Sequence, residues 1–549
     1  MKKTLSILLI SAMLLMLMPL AVFAAPTGTA ITSASQLYNI STSDTGNYYL
    51  ANDITISGYW EGKNFKGNLD GNGHTIYLED GVTIKNGVFN GLWGSYVKNL
   101  NIIQKGSATY QARSSAIGVL TRGVNNNNVT ISNVYIKADM SNITYDNMSP
   151  NVGAFVGQVL ANNEGPKANT SLLMENCVFV GKIVKASTQL DRGTAAMVGG
   201  TSISGTYTAS ITIRNCINYG DISSGSPAGS MFGKPTIPDG HENTQGAGIQ
   251  SITISGCINY GDIEVTGAST KDFTVEHAGG LFGVVYQQWD STLTVTNNVN
   301  YGNVTSPVHG GGIGGGVRYH NDTTFTSNGN VNYGVVSAGT NAGTNVGSVW
   351  QRTDTYNGEG SMLYNYCNDK SIEKGSGASN CVVIDENALA NLASFGADKY
   401  TTLPNGKITL TWAKEAGYGD EAVGSADTSF VGAQLSGTGS DETRSVRFVG
   451  GLDAEFTNLD EVGIMIIASY GDGQTKTFEG QTSTVYESIL ADGETILASD
   501  NGVDYFYTAA INDIPTNVGT ITFKVFAFQL DGDAVMYSNS TTLTVDMTA

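Results

Sequence analysis

Ser251-Ile252-Thr253-Ile254-Ser255-Gly256-Cys257-Ile258-Asn259-Tyr260-Gly261 is the stretch whose reading decides the fold. A β-branched run of alternating type leads into Asn-Tyr-Gly. That phrase returns at Asn218-Tyr219-Gly220, Asn300-Tyr301-Gly302 and Asn332-Tyr333-Gly334. Between the copies lies a second phrase, Gly-Gly-apolar-Phe-Gly, clearest at Gly279-Gly280-Leu281-Phe282-Gly283. Two phrases alternating at this period describe a solenoid, in which each repeat buries its apolar face only by stacking on its neighbours.

The glycine phrase is followed through Gly94, Gly118, Gly157, Gly199, Gly233, Gly283, Gly315 and Gly347. The last two steps are equal and set a core repeat of 32 residues, with longer repeats carrying insertions. A repeat of that length fits about three strands of ~5 residues with their turns. Eight marks at ~4.8 Å per stacked strand give a stack of at least roughly 40 Å. The Asn-Tyr-Gly asparagines predict a ladder of amides bonded to each other and to the backbone of a bend. The tyrosines beside them either pack as a ladder or form an outward stripe. Cys177, Cys216 and Cys257 share a column that Asn298 and Asn330 continue. A disulfide framework would not exchange Cys for Asn down one column, so unbridged buried thiols are expected.

Outward from the repeats, residues 33–41 read as a short amphipathic helix with a Ser cap, covering the first open sheet edge. Asp70-Gly71-Asn72-Gly73-His74 reads as a tight turn between strands, so Asp70 and His74 are assigned to structure. Residues 388–395 read as a closing helix, the solenoid ends near Ile408 to Trp412, and residues 413–428 read as a linker. Beyond it, apolar and alternating strands at 444–449, 462–467, 505–507, 520–528 and 541–545 lie between polar turns that include Asp472, Asp531 and Asp533. These predict an antiparallel β-sandwich. The expected fold is all-β: a right-handed parallel β-helix with its cap over residues 25–412, a linker at 413–428 and a smaller sandwich over 429–549.

Lys2 and Lys3, the apolar run to Leu20 and Val22-Phe23-Ala24 form a secretory signal over residues 1–24. Removing its two lysines takes the net charge from −20 to −22. Such a surface repels nucleic acid and anionic membrane. The expected protein is exported, secreted or cell-surface-associated, not inserted in a membrane, and monomeric.

The opening Tyr48-Tyr49-Leu50-Ala51-Asn52-Asp53-Ile54, the segment from Phe65 to Ile76, and the Gly-Gly-Leu-Phe-Gly and Asn-Tyr-Gly phrases resemble secreted bacterial parallel β-helix proteins with GLUG-type repeats, over roughly residues 30–413. The C-terminal region is similar to β-sandwich modules of secreted Gram-positive proteins. The resemblance implies an extracellular, adhesin-like role and names no activity.

Parallel β-helices also house polysaccharide lyases and hydrolases, which need a cation or a base beside a uronate, or two carboxyls at a set separation. One group of residues stands in register for such chemistry. Asp290, Asp322 and Asp354 lie seven residues after Gly283, Gly315 and Gly347; Tyr286, Arg318 and Trp350 lie three after; Gln288, His320 and Arg352 lie five after. Aligned carboxylates about 5 Å apart repel unless a cation sits among them, so Ca²⁺ at the three aspartates and a glycan on Trp350 or Tyr286 are the expected ligands. Each Asp also precedes Ser or Thr at the start of a strand, where it caps its own turn. Three readings follow: a non-catalytic module binding a glycan or a cell-surface protein, a polysaccharide lyase or glycoside hydrolase, and a structural spacer.

Overall fold

The computed structural model of the chain describes residues 27–112, 115–125, 127–146, 149–161, 169–186, 192–203, 207–236, 249–267, 276–286, 291–319, 324–343, 345–351, 359–363, 365–367, 381–383, 399–402, 407–415, 428–436, 443–453, 462–470, 474–480, 484–487, 503–531, 534–537 and 541–548. The chain is all-β with three long parallel sheets, visited in the same order by each repeat. The repeat that begins at Thr292–Thr296 continues through Val299–Asn300 and Val304–Ser306 in a broad first sheet. It then adds His309–Gly311 to a narrow second sheet and Gly314–Tyr319 to a third. A 32-residue repeat therefore holds five short strands rather than three, because bends break the broad-sheet segment into pieces of two to five residues.

Register is strict. Ile252 pairs with Leu293 and Leu293 with Phe325; Ala278 pairs with Gly310 and Gly310 with Ala342. One apolar core takes side chains from all three sheets, among them Ile252, Ile254, Ala278, Phe282 and Val285. The glycine phrase has a steric cause. A Cβ on Gly283 would stand 2.7 Å from the Ala228 nitrogen, and one on Gly315 would stand 2.9 Å from the Ala278 nitrogen. The third-sheet strand of one repeat thus lies backbone to backbone against the second-sheet strand of the repeat before, and only glycine permits that approach. The column runs Gly157, Gly199, Gly233, Gly283, Gly315, Gly347. Gly118 belongs elsewhere: it pairs with Gly153 in the second sheet, and Arg122 stands opposite Gly157.

The bends are built by asparagine. Asn218 donates to Asn259 Oδ1, Asn259 to Asn300 Oδ1 and Asn300 to Asn332 Oδ1, each at 2.7 Å. Each of these Nδ2 groups also reaches the carbonyl two residues on, at Gly220, Gly261 and Gly302, and all four asparagines are fully buried. The amides satisfy bend carbonyls that no strand pairs. A second asparagine column holds the left-handed turn before each bend. Asn215, Asn297, Gly256 and Gly329 occupy it at φ 53°, 56°, 63° and 66°, a conformation cheap only for Gly and, less so, Asn. Cys177, Cys216 and Cys257 are free and buried, and burial pushes the thiols of Cys216 and Cys257 well up.

Ala34–Tyr38 is the expected cap helix; Ser33 Oγ accepts from Gln36 N and Leu37 is buried. Asp70 closes its turn on Asn72 N at 2.9 Å and meets Lys98 at 3.1 Å, while His74 sits 3.2 Å from Asp53. The expected helix at 388–395 lies outside the described residues.

Residues 399–415 depart from the expected solenoid end and linker. Tyr400–Thr402 and Ile408–Leu410 form an antiparallel pair, followed by the helix Thr411–Glu415. None of the three joins the parallel stack. From Thr428 on, strands are antiparallel in a four-stranded and a five-stranded sheet. One core takes Val446, Phe448 and Ala509 from the first sheet and Ile464, Phe523 and Val525 from the second, with the Phe448 and Phe523 rings 5.3 Å apart.

Candidate functional site

The third sheet carries the sequence-predicted site. Tyr286 pairs with Arg318 and Arg318 with Trp350, so the three residues form one row across three successive strands. Beside this row lies the row Val285–Val317, which is buried in the core. Steps of about 4.8 Å between strands place the backbones of Tyr286 and Trp350 roughly 10 Å apart. The row ends its strands at Tyr286, Tyr319 and Gln351, next to the connections back to the first sheet. Asp290, His320, Asp322, Arg352 and Asp354, with Gln288, lie in those connections and outside the described residues. Among the described residues, no three His, Cys, Asp or Glu side chains are grouped to hold a metal ion. The proposed Ca²⁺ aspartates are not among them.

The tyrosines of Asn-Tyr-Gly are a ladder on the outside of the first sheet. Tyr219–Tyr260, Tyr260–Tyr301 and Tyr301–Tyr333 stack with centroids 4.8, 5.2 and 5.1 Å apart and planes within 12°. Tyr219, Tyr260 and Tyr301 are nonetheless buried. They belong to a core separate from the interior one, with Ile217, Ile258, Val299 and Val331 below and Ile408, Leu410 and Ala413 above. Tyr260 donates to the Ile408 carbonyl, and Ile408 N donates to Tyr301 Oη at 3.0 Å. Tyr400 donates to the Asn297 carbonyl at 2.9 Å, and Lys407 lies 5.3 Å from the Tyr301 ring. This aromatic stripe is therefore covered by the chain's own residues 399–402 and 407–415.

A buried polar cluster lies where the first, second and third sheets approach. His277 and His309 pair in register and stack at 4.6 Å, and Asn341 continues the column with Nδ2 2.8 Å from His309 Nδ1. Lys185 Nζ donates to Ser226 Oγ at 2.6 Å and reaches the Arg192 carbonyl at 3.4 Å. Lys234, an electrostatic neighbour of both Lys185 and His277, and Glu276, adjacent to His277 in the chain, are also buried, and the Glu276 carbonyl accepts from His309 N and Ser306 Oγ. Burial, then its neighbours Arg192 and Lys234, push the Lys185 ammonium well down. Burial, then His309 and Lys234, push His277 well down; burial alone lowers His309 to about 4. Both imidazoles are neutral at physiological pH. The sequence reading missed this cluster. Its members sit in different strands at irregular separations, and the only local signal was a histidine two residues before Gly-Gly, in His277-Ala278-Gly279-Gly280 and His309-Gly310-Gly311-Gly312.

Among the described residues no helix is long and apolar enough to cross a membrane. Comparisons with family models, with curated proteins and with solved structures found no match.

Proposed function

We propose that the chain is a secreted, non-catalytic parallel β-helix protein of adhesin-like type that binds an extracellular glycan through the row Tyr286–Arg318–Trp350. The observation that carries this reading is the register of that row. An aromatic, a cationic and a second aromatic residue share one register position of three stacked strands, whereas the buried columns of the core are apolar or glycine, as in Ile252–Leu293–Phe325. Sugar rings stack on aromatic faces through their C–H surfaces, and a guanidinium bonds hydroxyls or carboxylates in a planar fork. Asp290, Asp322, Asp354, His320 and Arg352 border the row in sequence, and Ca²⁺ held by the aspartates would bridge an acidic sugar.

The same reading includes a closed, right-handed helix for the parallel stack. The right hand is the general rule for parallel crossover connections. It also takes the two antiparallel C-terminal sheets, with their shared core, as a β-sandwich. The signal over residues 1–24 and the net charge of −20 support export and argue against nucleic acid as partner.

The test is a glycan array and a polysaccharide panel probed with residues 25–549, with and without Ca²⁺, following both retention and release of unsaturated or reducing ends. Retention without products, lost in Trp350→Ala and Arg318→Ala, is the expected result. Released products lost in Asp322→Ala would replace it with the lyase or hydrolase reading. No retention and no products would leave the spacer.

A further inference from the structure

The register position of Tyr286, Arg318 and Trp350 can be followed back through the third sheet to its first strands. Phe65 pairs with Leu92, and Leu92 with Val124. One residue further on, Asn125 pairs with Leu160, Leu160 with Ser202 and Ser202 with Thr236. Phe232 pairs with Phe282, and the two strands end four residues later at Thr236 and Tyr286. One column therefore runs from Lys66 and Trp93, through Asn125, Leu160, Ser202 and Thr236, to the row. At ~4.8 Å per strand, Trp93 stands five steps or about 24 Å from Tyr286, and seven steps or about 34 Å from Trp350.

The near end of this column has the chemistry of the row. Lys66 Nζ lies 5.6 Å from the centre of the Trp93 ring, within range of a cation–π contact, and both residues are half-buried. A glycine positions the indole. A Cβ on Gly91 would stand 2.9 Å from Trp93 Nε1, 2.8 Å from Asn125 Nδ2 and 3.1 Å from Asn64 Oδ1. The nitrogen edge of Trp93 is thus turned in over bare backbone. Nε1 is enclosed there and bonds no acceptor among the described residues. A buried donor without a bond is a net cost to folding, and a position that only had to bury a ring would be served by an apolar one. Between this end and the row, Asn125 and Leu160 are buried and Ser202 is half-buried, so the column there is a floor without charge. From Lys66 to Trp350 the column holds two cations, Lys66 and Arg318, and no carboxylate, in a chain of 48 acidic and 28 basic residues.

We propose that this column binds one linear polyuronate laid along the stack and held at two stations, Lys66 with Trp93 and the row Tyr286–Arg318–Trp350. The inference rests on the reading of the row as a glycan site and adds to it a direction, a length and a charge. Aromatic faces take sugar rings, and the ammonium and the guanidinium each pair with a carboxylate of the ligand. A neutral chain would leave both cations without a counter-charge, and a branched one would not follow a single column. A chain that reaches both stations binds the second intramolecularly and gains avidity, whereas a fragment shorter than the ~24 Å gap engages one at a time.

Polygalacturonate, alginate and hyaluronan, each sorted into fragments shorter and longer than that gap, are titrated calorimetrically against residues 25–549. Each titration is run with and without Ca²⁺, because Asp290, Asp322 and Asp354 border the row in sequence and on their own repel a carboxylate. Long fragments of at least one of the three should bind at least tenfold tighter than short ones, and less tightly as salt rises. Trp93→Ala and Lys66→Gln should each lower the long-to-short ratio at least fivefold; Lys66→Gln keeps the indole and separates a lost contact from a folding defect. Trp350→Ala should weaken both lengths. If Trp350→Ala weakens binding while Trp93→Ala and Lys66→Gln leave the ratio as in the parent, the glycan row stands and the two-station proposal falls. Binding of a neutral glycan and of none of the three polyuronates overturns the assigned charge and the proposal with it. Absence of binding to any glycan, or binding that responds to Trp93→Ala and not to Trp350→Ala, removes the row itself and the proposal together.

Discussion

Two regions of this molecule carry aromatic residues at the same period and are filled in opposite ways. On the first sheet, tyrosine follows tyrosine at Tyr219, Tyr260, Tyr301 and Tyr333, the rings stack, and Ile408, Leu410 and Ala413 of the chain itself pack on them. On the third sheet, Tyr286, Arg318 and Trp350 share one register position and no residue type. A column that keeps one residue serves the stack, because identical side chains satisfy one another in line. A column that changes residue gains nothing from such self-pairing: in the core Ile252, Leu293 and Phe325 vary because burial asks only for apolar volume, and for Tyr286, Arg318 and Trp350 the proposed glycan contact is the reason we offer.

The most severe break of that distinction is in the asparagine ladder. Asn300→Leu removes a donor to Gly302 O and Asn332 Oδ1 and takes from Asn259 Nδ2 one of the two oxygens it bonds, leaving it Gly261 O. Three buried polar atoms each lose a partner at roughly 1–3 kcal/mol, so a loss of about 4 kcal/mol or more is expected. Thermal unfolding followed by circular dichroism reads it. A cost under about 1 kcal/mol would mean that repeated identity does not mark structural necessity.

The stacked histidines test the same rule with a titratable pair. Both have pKa values held below the ordinary 6.5 by burial, His309 at about 4. Between about pH 6.5 and pH 4 the unfolded chain binds protons that the native pair refuses. Stability therefore falls as pH falls through this window and is fully present above it. For His309 the loss is on the order of 3 kcal/mol, and His277 adds to it. Lys234 opposes a new charge on His277, as does a charged His309. His309→Asn, which extends the residue at Asn341 by one repeat, should flatten the dependence. Identical melting profiles of parent and variant from pH 7.5 to 4.5 would remove the pair from any role in acid sensitivity.

A smaller effect separates side-chain columns from backbone columns. Asn297 shares its left-handed turn with Gly256 and Gly329. Asn297→Gly should leave stability within about 0.5 kcal/mol, whereas Asn297→Ala should cost about 1–2 kcal/mol, the usual penalty of a Cβ in that region. If Gly costs as much as Ala, the asparagine side chain rather than φ decides the position.

What was legible in the sequence divides along the same line. The repeat, the asparagine ladder, the unbridged cysteines, the Ser33 cap and the turn at Asp70 were readable, since each depends on neighbours at fixed period or within four residues. The glycine phrase was readable as a mark but not as a column: Gly118 and Gly157 look equivalent in sequence, yet one belongs to the second sheet and the other to the third. Residues 399–402 and 407–415 were read as the end of the solenoid and the start of a linker, whereas they pack on the tyrosines of earlier repeats. Those tyrosines lie more than a hundred residues earlier, and nothing in Ile408 to Ala413 encodes the return. The Lys185–His277–His309 cluster was missed for a related reason. Insertions of different length separate its members, so no spacing points from one to the next.

Trp350→Ala is the mildest change to the fold and the sharpest test of the contrast. Its register neighbour Arg318 is of another type, and the melting temperature should shift by the equivalent of no more than about 0.5 kcal/mol. Glycan retention should nonetheless fall at least tenfold, with Arg318→Ala close behind and more dependent on salt where the ligand carries carboxylates. The corresponding change in the ladder, Tyr301→Ala, should do the reverse: it removes the bond to Ile408 N and two ring contacts and lowers stability while leaving retention intact. A result in which both substitutions weaken retention equally would place the glycan on the ladder side as well, and the proposed division between the two columns would fail.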